Sequence, residues 1–229
     1  MRKTIYINLF CLLCVCLVSC KSMKWEPLFN EKDMTGWRLL NGDRFPEKGW
    51  TIRENAIVCT GERGGSIVTT DRYGNFELEW EWKLTRPGAN SGVKYFLNEI
   101  PGDTDIYGFG IEYQMIDDEE WVGSGRMKPN DYHTTGAAYE LYTPSPKKKL
   151  NPVGQWNKSR IVSKNGQVEH WLNGEKILEY NRFSQDFREK VKISKFAKIA
   201  SFGQHNDGHI LLQDHDSEVY FRDIRIRRL

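Results

Sequence analysis

Between Phe76 and Leu84, apolar and charged residues alternate without a break. Phe76, Leu78, Trp80, Trp82 and Leu84 fall on one side, and Glu77, Glu79, Glu81 and Lys83 on the other. A period of two predicts a strand with one buried face and one wet face. Alternation or short β-branched runs recur at Ser66 to Thr70, Val93 to Leu97, Gly110 to Ile116, His209 to Leu212 and Val219 to Arg227. Trp50-Thr51-Ile52 and Ala56-Ile57-Val58 flank a turn at Glu54-Asn55. Trp156 to Ser163, Gln167 to Leu172 and Glu175 to Tyr180 form a meander, joined at Lys164-Asn165-Gly166 and Asn173-Gly174. Asn-Gly accepts the positive φ of type I′ turns, so both joints predict tight hairpins. One short helix is expected, near Phe183 to Ile193. Met115 to Leu150 mixes Gly, Pro and charge and reads as long loops, where sandwiches tend to carry their sites. Within it, Lys147-Lys148-Lys149 reads as a solvated loop. About a dozen strands with Gly-rich turns predict an all-β fold, a two-sheet sandwich or jelly roll.

The pattern changes at the N-terminus. Arg2 and Lys3 precede a mostly apolar stretch, Ile5 to Val18, which falls short of the about 20 residues needed to span a bilayer. It ends in Leu17-Val18-Ser19-Cys20. The order of charge, apolar run, small residue and Cys resembles the lipobox of bacterial lipoproteins. The resemblance implies a signal peptide over residues 1–19, lipidation at Cys20, a tether over residues 20–24 and a folded domain over residues 25–229. It also implies a cell-envelope location, with membrane contact through the lipid alone. Four of the five cysteines, Cys11, Cys14, Cys16 and Cys20, lie in this segment, so Cys59 has no disulfide partner in the processed chain. Arg2 and Lys3 also account for the net charge of +2, leaving the body with as many acids as bases. Phosphate binding needs a surplus of Lys and Arg, so nucleic acid is not the expected partner. The 13% aromatic content excludes a disordered chain and supplies a large core.

Several phrases then converge. They are Leu28-Phe29-Asn30 with Met34-Thr35-Gly36-Trp37, Asn90-Ser91-Gly92-Val93-Lys94, Glu112-Tyr113-Gln114, and Glu169-His170-Trp171-Leu172-Asn173-Gly174. Gly208-His209-Ile210 leads to Leu212-Gln213-Asp214-His215, and Phe221-Arg222-Asp223-Ile224-Arg225-Ile226 closes the set. In this order, from about Trp25 to Arg228, they resemble the 3-keto-disaccharide hydrolase family. The resemblance implies a concanavalin-like jelly roll of two curved antiparallel sheets. It also implies a carbohydrate partner, a sugar oxidised to a ketone at C3.

Such a ketone acidifies the hydrogen on C2. A base removes that proton, the enolate expels the C1 substituent, and water adds back. The route needs a general base near C2, an electrophile near the C3 oxygen and an acid at the leaving group. The oxidising cofactor would belong to another enzyme, and no Gly-rich dinucleotide fingerprint follows a strand here. Strand parity nominates the groups. If Tyr113 and Met115 are core, Glu112 and Gln114 face a groove. By the same parity Lys94 points outward from Val93 and Tyr95, and Gln213 and His215 lie opposite Ile210 and Leu212. Glu112 is the expected general base, with Lys94 or His215 steadying the enolate and His133 as a further acid or ligand. Gln114, Gln213 and His170 are expected substrate-binding residues. Trp121, Tyr139 and Tyr142 are candidate stacking platforms.

Other readings stay open. His205, Asp207, His209, Asp214, His215 and Asp216 lie close together in sequence and could hold a divalent metal. A retaining glycosidase of the laminarinase type shares the sandwich, but its E-x-D-x-x-E strand appears here as Glu112, Gln114 and Asp117. A non-catalytic carbohydrate-binding module would use the aromatics alone. As surface groups, Glu112 and Lys94 would be a cross-strand pair of little energetic weight.

Overall fold

The computed structural model describes residues 24–100, 108–199 and 201–229. The expected signal peptide and Cys20 lie outside the described residues. In chain order the strands are β1 (Glu26–Pro27), β2 (Trp37–Leu39), β3 (Trp50–Arg53), β4 (Ala56–Thr60), β5 (Ile67–Thr69), β6 (Phe76–Leu84), β7 (Asn90–Leu97) and β8 (Ile111–Ile116). Helix α1 (Asp118–Gly123) precedes β9 (Asn157–Lys164), β10 (Gln167–Leu172) and β11 (Glu175–Asn181). Helix α2 (Gln185–Ile193), β12 (His209–Leu212) and β13 (Glu218–Arg228) complete the chain. Every named strand pairing is antiparallel. One sheet runs β11-β10-β9-β6-β13-β4-β3, with β1 also paired to β13, and the other runs β2-β5-β12-β7-β8. The fold is a jelly-roll sandwich.

The expected turns form for the expected reason. Asn165 and Asn173 take φ of 50° and 48°, each followed by a Gly at 87°. Glu54 and Asn55 take φ of 53° and 57° without a glycine. Inward-facing residues of both sheets, among them Trp80, Val93, Tyr113, Leu212 and Ile224, form one core. In β7 the alternation breaks at Phe96, whose φ is 51°. Tyr95 and Phe96 both pack into that core, and Leu97 joins Leu40, Val68 and Leu211 in a separate cluster. Gly208 makes this bulge fit, since a Cβ there would lie 2.4 Å from the Phe96 carbonyl carbon.

Three expectations change. The charged side of β6 is less wet than its alternation suggests. Glu77 and Glu79 are only 5% and 9% exposed, because Arg160, Arg227, Arg225 and Lys158 cover them. Residues 115–150 are not only loops. Asp117 caps the unforeseen helix α1, and Ala138 bridges Tyr113 on the free edge of β8. Lys148 does not extend into solvent. It reaches Asp118 at 2.8 Å, and burial lowers its pKa. Strands β1 and β2 have two and three residues, too short to show periodicity.

Candidate active site

The outer face of the five-stranded sheet holds a hollow of about 300 Å³. Strand β7 contributes Asn90 and Lys94, β8 contributes Glu112 and Gln114, and the segment after β12 contributes Gln213 and His215. The five residues that parity assigned to one groove therefore line one hollow. Phe109, Tyr139, Lys195 and Phe196 complete its walls, with Gly108.

Lys94 and Glu112 are register partners on adjacent strands. The Lys94 ammonium lies 3.2 Å from Glu112 Oε2 and donates to the Gly108 carbonyl at 3.1 Å. Both residues are nearly enclosed, at 5% and 6% exposed, so the pair is buried and not a solvated surface pair. Gly92 makes room for it. A Cβ on Gly92 would lie 2.6 Å from Glu112 Oε1, so any side chain there would push the carboxylate out of position. This gives the Asn90–Lys94 phrase a physical role.

Two acceptors stand ready beside the pair. Gln213 Oε1 and Asn90 Oδ1 are buried and have no hydrogen-bond partner among the described residues. A buried carbonyl oxygen left unmet costs about 1–3 kcal/mol, which a ligand hydroxyl would recover. Gln114 Oε1 accepts from the Met115 amide at 2.9 Å, which fixes that side chain. The set offers a carboxylate, an ammonium, an imidazole and hydroxyl-reading amides in one enclosed space.

The other nominees lie elsewhere. His170 is corrected from substrate binding to core. It is fully buried between the sheets, with Nδ1 2.9 Å from the Gly136 carbonyl and Nε2 2.7 Å from the Tyr95 hydroxyl. A carbonyl can only accept, so Nδ1 carries the proton and Tyr95 donates to Nε2. Burial lowers the His170 pKa to about 4. His133 stands outside the hollow, 2.7 Å from Asp131 and 3.2 Å from Glu140, its ring 4.9 Å from that of Tyr139. Trp121 donates to the Gly88 carbonyl at 3.1 Å under the Arg126 guanidinium. Tyr142 donates to Asp186 at 2.6 Å and stacks on Tyr180. Neither Trp121 nor Tyr142 lines the hollow.

The acid- and histidine-rich stretch does not converge either. Asp207 pairs with Arg72, His209 contacts the Thr69 carbonyl, Asp214 accepts from the Gly65 amide and Asp216 pairs with Arg63. Among the described residues no three His, Cys, Asp or Glu could hold a metal ion. Asp117, the would-be second carboxylate of a retaining pair, caps α1 and accepts from the Gly88 amide at 2.9 Å. A larger hollow of about 580 Å³ opens beside α1. Four prolines line it, and its Asp117 and Asp118 carboxylates are committed to backbone amides and Lys148.

Asn90 was not singled out as a site residue, and Tyr139 only as a candidate stacking platform. Asn90 shares parity with Gly92 and Lys94, so extending that strand by one turn of the alternation finds it. Tyr139 gives no periodic signal. Its amide donates to the Glu112 carbonyl at 3.0 Å, placing it on the irregular segment that lines the edge of β8.

The family profile described as a 3-keto-alpha-glucoside-1,2-lyase-like domain matches residues 24–227. The chain belongs to this family. It is 32% identical to a 3-keto-disaccharide hydrolase of Bacteroides thetaiotaomicron, over 88% of this chain and 77% of that protein. Two candidate glycosyl hydrolases of Parabacteroides distasonis with solved structures are also similar. One is 37% identical with a TM-score of 0.79, over 91% of this chain and 96% of its own. The second is 28% identical with a TM-score of 0.66, over 90% of this chain and all of its own. Family membership places the protein among the glycoside-cleaving enzymes.

Proposed function

We propose that the protein cleaves 3-keto-glycosides by elimination and hydration at the hollow on the five-stranded sheet. The observation that carries this is the enclosed Lys94–Glu112 pair beside two unmet amide oxygens. Glu112 takes the C2 proton, and the electrons move into the C3 carbonyl to give an enolate. The negative charge thus passes from the carboxylate to the substrate oxygen, and Lys94 is the cation placed to follow it. His215 is the second candidate donor to that oxygen. Gln213, Asn90 and Gln114 orient ring hydroxyls. The enolate then collapses, the C1–O bond breaks, and water adds to the unsaturated product, so that the two steps sum to hydrolysis. The name of the Bacteroides relative and the family description support this substrate class.

The test compares a methyl 3-keto-glucoside with its unoxidised parent, following methanol release. The expected result is turnover of the ketone alone, lost about 10²- to 10⁴-fold in Glu112→Gln. Equal rates on both sugars would show an ordinary glycosidase. Binding without release from either would show a carbohydrate-binding protein.

A further inference from the structure

The elimination needs a proton donor for the departing oxygen, and neither Glu112 nor Lys94 supplies one while abstracting the C2 proton and steadying the enolate. The segment on the free edge of β8 contains a group suited to that task. Its backbone follows an antiparallel register. The Gly136 amide donates to the Gln114 carbonyl at 2.9 Å, the Gln114 amide to the Ala137 carbonyl at 3.2 Å, and the Tyr139 amide to the Glu112 carbonyl at 3.0 Å. With Ala138 opposite Tyr113, Tyr139 stands opposite Glu112. Lys94, Glu112 and Tyr139 therefore form one row across β7, β8 and the irregular segment on its edge, and all three line the hollow. Register partners on one face hold their Cβ atoms about 5 Å apart.

Two groups pack against the Tyr139 ring. The Lys195 ammonium lies 4.2 Å from its centroid, and the His133 ring is 4.9 Å away. Its hydroxyl makes no hydrogen bond with the described residues, in contrast to those of Tyr95, Tyr113, Tyr142 and Tyr180. Burial, with the Glu112 and Glu140 charges nearby, pushes its pKa up to about 12, so it carries its proton at neutral pH. A developing alkoxide is a stronger base than a phenolate and would take that proton.

Taking the elimination chemistry proposed above as given, we infer that Tyr139 is the general acid that protonates the leaving oxygen at C1. As the C1–O bond breaks, its electron pair goes to the departing oxygen, which takes the Tyr139 proton. The C1–C2 double bond forms from the enolate electrons. The phenolate then recovers a proton from Glu112, which holds the one removed from C2. The net change is transfer of the C2 proton to the released alcohol, with no oxidant or reductant. The neighbouring Lys195 cation eases the transient phenolate.

The test is Tyr139→Phe, assayed on two 3-keto-glucosides that differ in leaving group. Methoxide needs protonation to leave, whereas 4-nitrophenolate does not. The expected loss in kcat is about 10²-fold or more on the methyl substrate and under about threefold on the 4-nitrophenyl one. Deuterium exchange at C2 of the methyl substrate should persist, because abstraction by Glu112 precedes departure. Glu112→Gln should depress both substrates and abolish exchange. Equal losses on both substrates in Tyr139→Phe, or no loss on either, would overturn the assignment. A melting temperature matching the parent excludes misfolding, since the substitution removes only an unbonded hydroxyl. If the unaltered protein releases nothing from either ketone, the elimination reading itself fails. If it releases both and Tyr139→Phe behaves like the parent, only the Tyr139 role fails.

Discussion

Both sheets of the sandwich carry cross-strand pairs of carboxylate and cation on their outer faces, and the two faces use them differently. On the eight-stranded sheet Glu79 faces Arg225, and Lys158 reaches the same carboxylate at 3.2 Å. Glu81 pairs with Arg222 at 2.7 Å, and Glu77 is shared by Arg160 and Arg227. The cations are partly open to water, and most carboxylates have two of them. On the five-stranded sheet Lys94 and Glu112 stand within a hollow, both nearly fully enclosed. In the ladder the carboxylates are covered but their cations stay open to water, which keeps each pair near the about 0–1 kcal/mol of an exposed one. The enclosed pair holds two charges away from water at a place shaped for a ligand. Redundancy and the water access of the cations, not residue type, separate the laddered pairs from the one proposed to be catalytic.

The largest stability effect should come from splitting the enclosed pair. Lys94→Met leaves a carboxylate buried without its cation and should cost about 3–5 kcal/mol in urea unfolding. Adding Glu112→Gln to it should recover most of that loss. A cost under about 1 kcal/mol for the single change would mean that water reaches this pair as freely as it reaches the ladder.

Acid offers a second way to separate the regions, because the core between them holds its own titrating group. Burial holds His170 at a pKa of about 4, against 6.5 for the ordinary group. Between those values the unfolded chain binds a proton that the folded protein excludes. The His170 contribution is therefore intact above about pH 6.5 and declines towards pH 4, by on the order of 3 kcal/mol. Stability measured across this window should fall less steeply in His170→Gln. An unchanged slope would move the acid sensitivity to the charged faces. On the ladder, burial raises the Glu79 pKa, but the bonds from Arg225 and Lys158 outweigh it and leave it lowered. Its stabilisation holds above the ordinary carboxylate range and is lost as pH falls through its lowered pKa.

The smallest effect belongs to the ladder itself. Glu79→Gln should cost under about 1 kcal/mol and leave turnover unchanged, since Arg225 and Lys158 keep contact with water. A loss of activity comparable to that of Glu112→Gln would erase the distinction between the two faces.

The amino-acid sequence determined the strands long enough to alternate, the Asn-Gly hairpins and the two-sheet architecture. It also assigned Lys94, Glu112, Gln114, Gln213 and His215 to one side of their strands, because parity is local and periodic. Alternation on β6 and β8 looks the same, however, and it cannot say which charged face is laddered and which is hollowed. That depends on which strands become neighbours. Arg225 arrives beside Glu79 from β13, 146 residues away, whereas Glu112 pairs with Lys94 on the neighbouring strand. Three further features came only with the tertiary structure. His170 shares the parity of the buried Val168 and Leu172, which marks the core face, but only the tertiary structure supplies its partners, the Gly136 carbonyl and the Tyr95 hydroxyl. The clustered His and Asp residues after His205 separate because each finds a different long-range partner. Tyr139 reaches the site through an irregular segment whose backbone bonds, not its side-chain pattern, set its register against Glu112. Side-chain direction is written in the local period of the chain, whereas enclosure and pairing arise from contacts between distant segments, which the period does not encode.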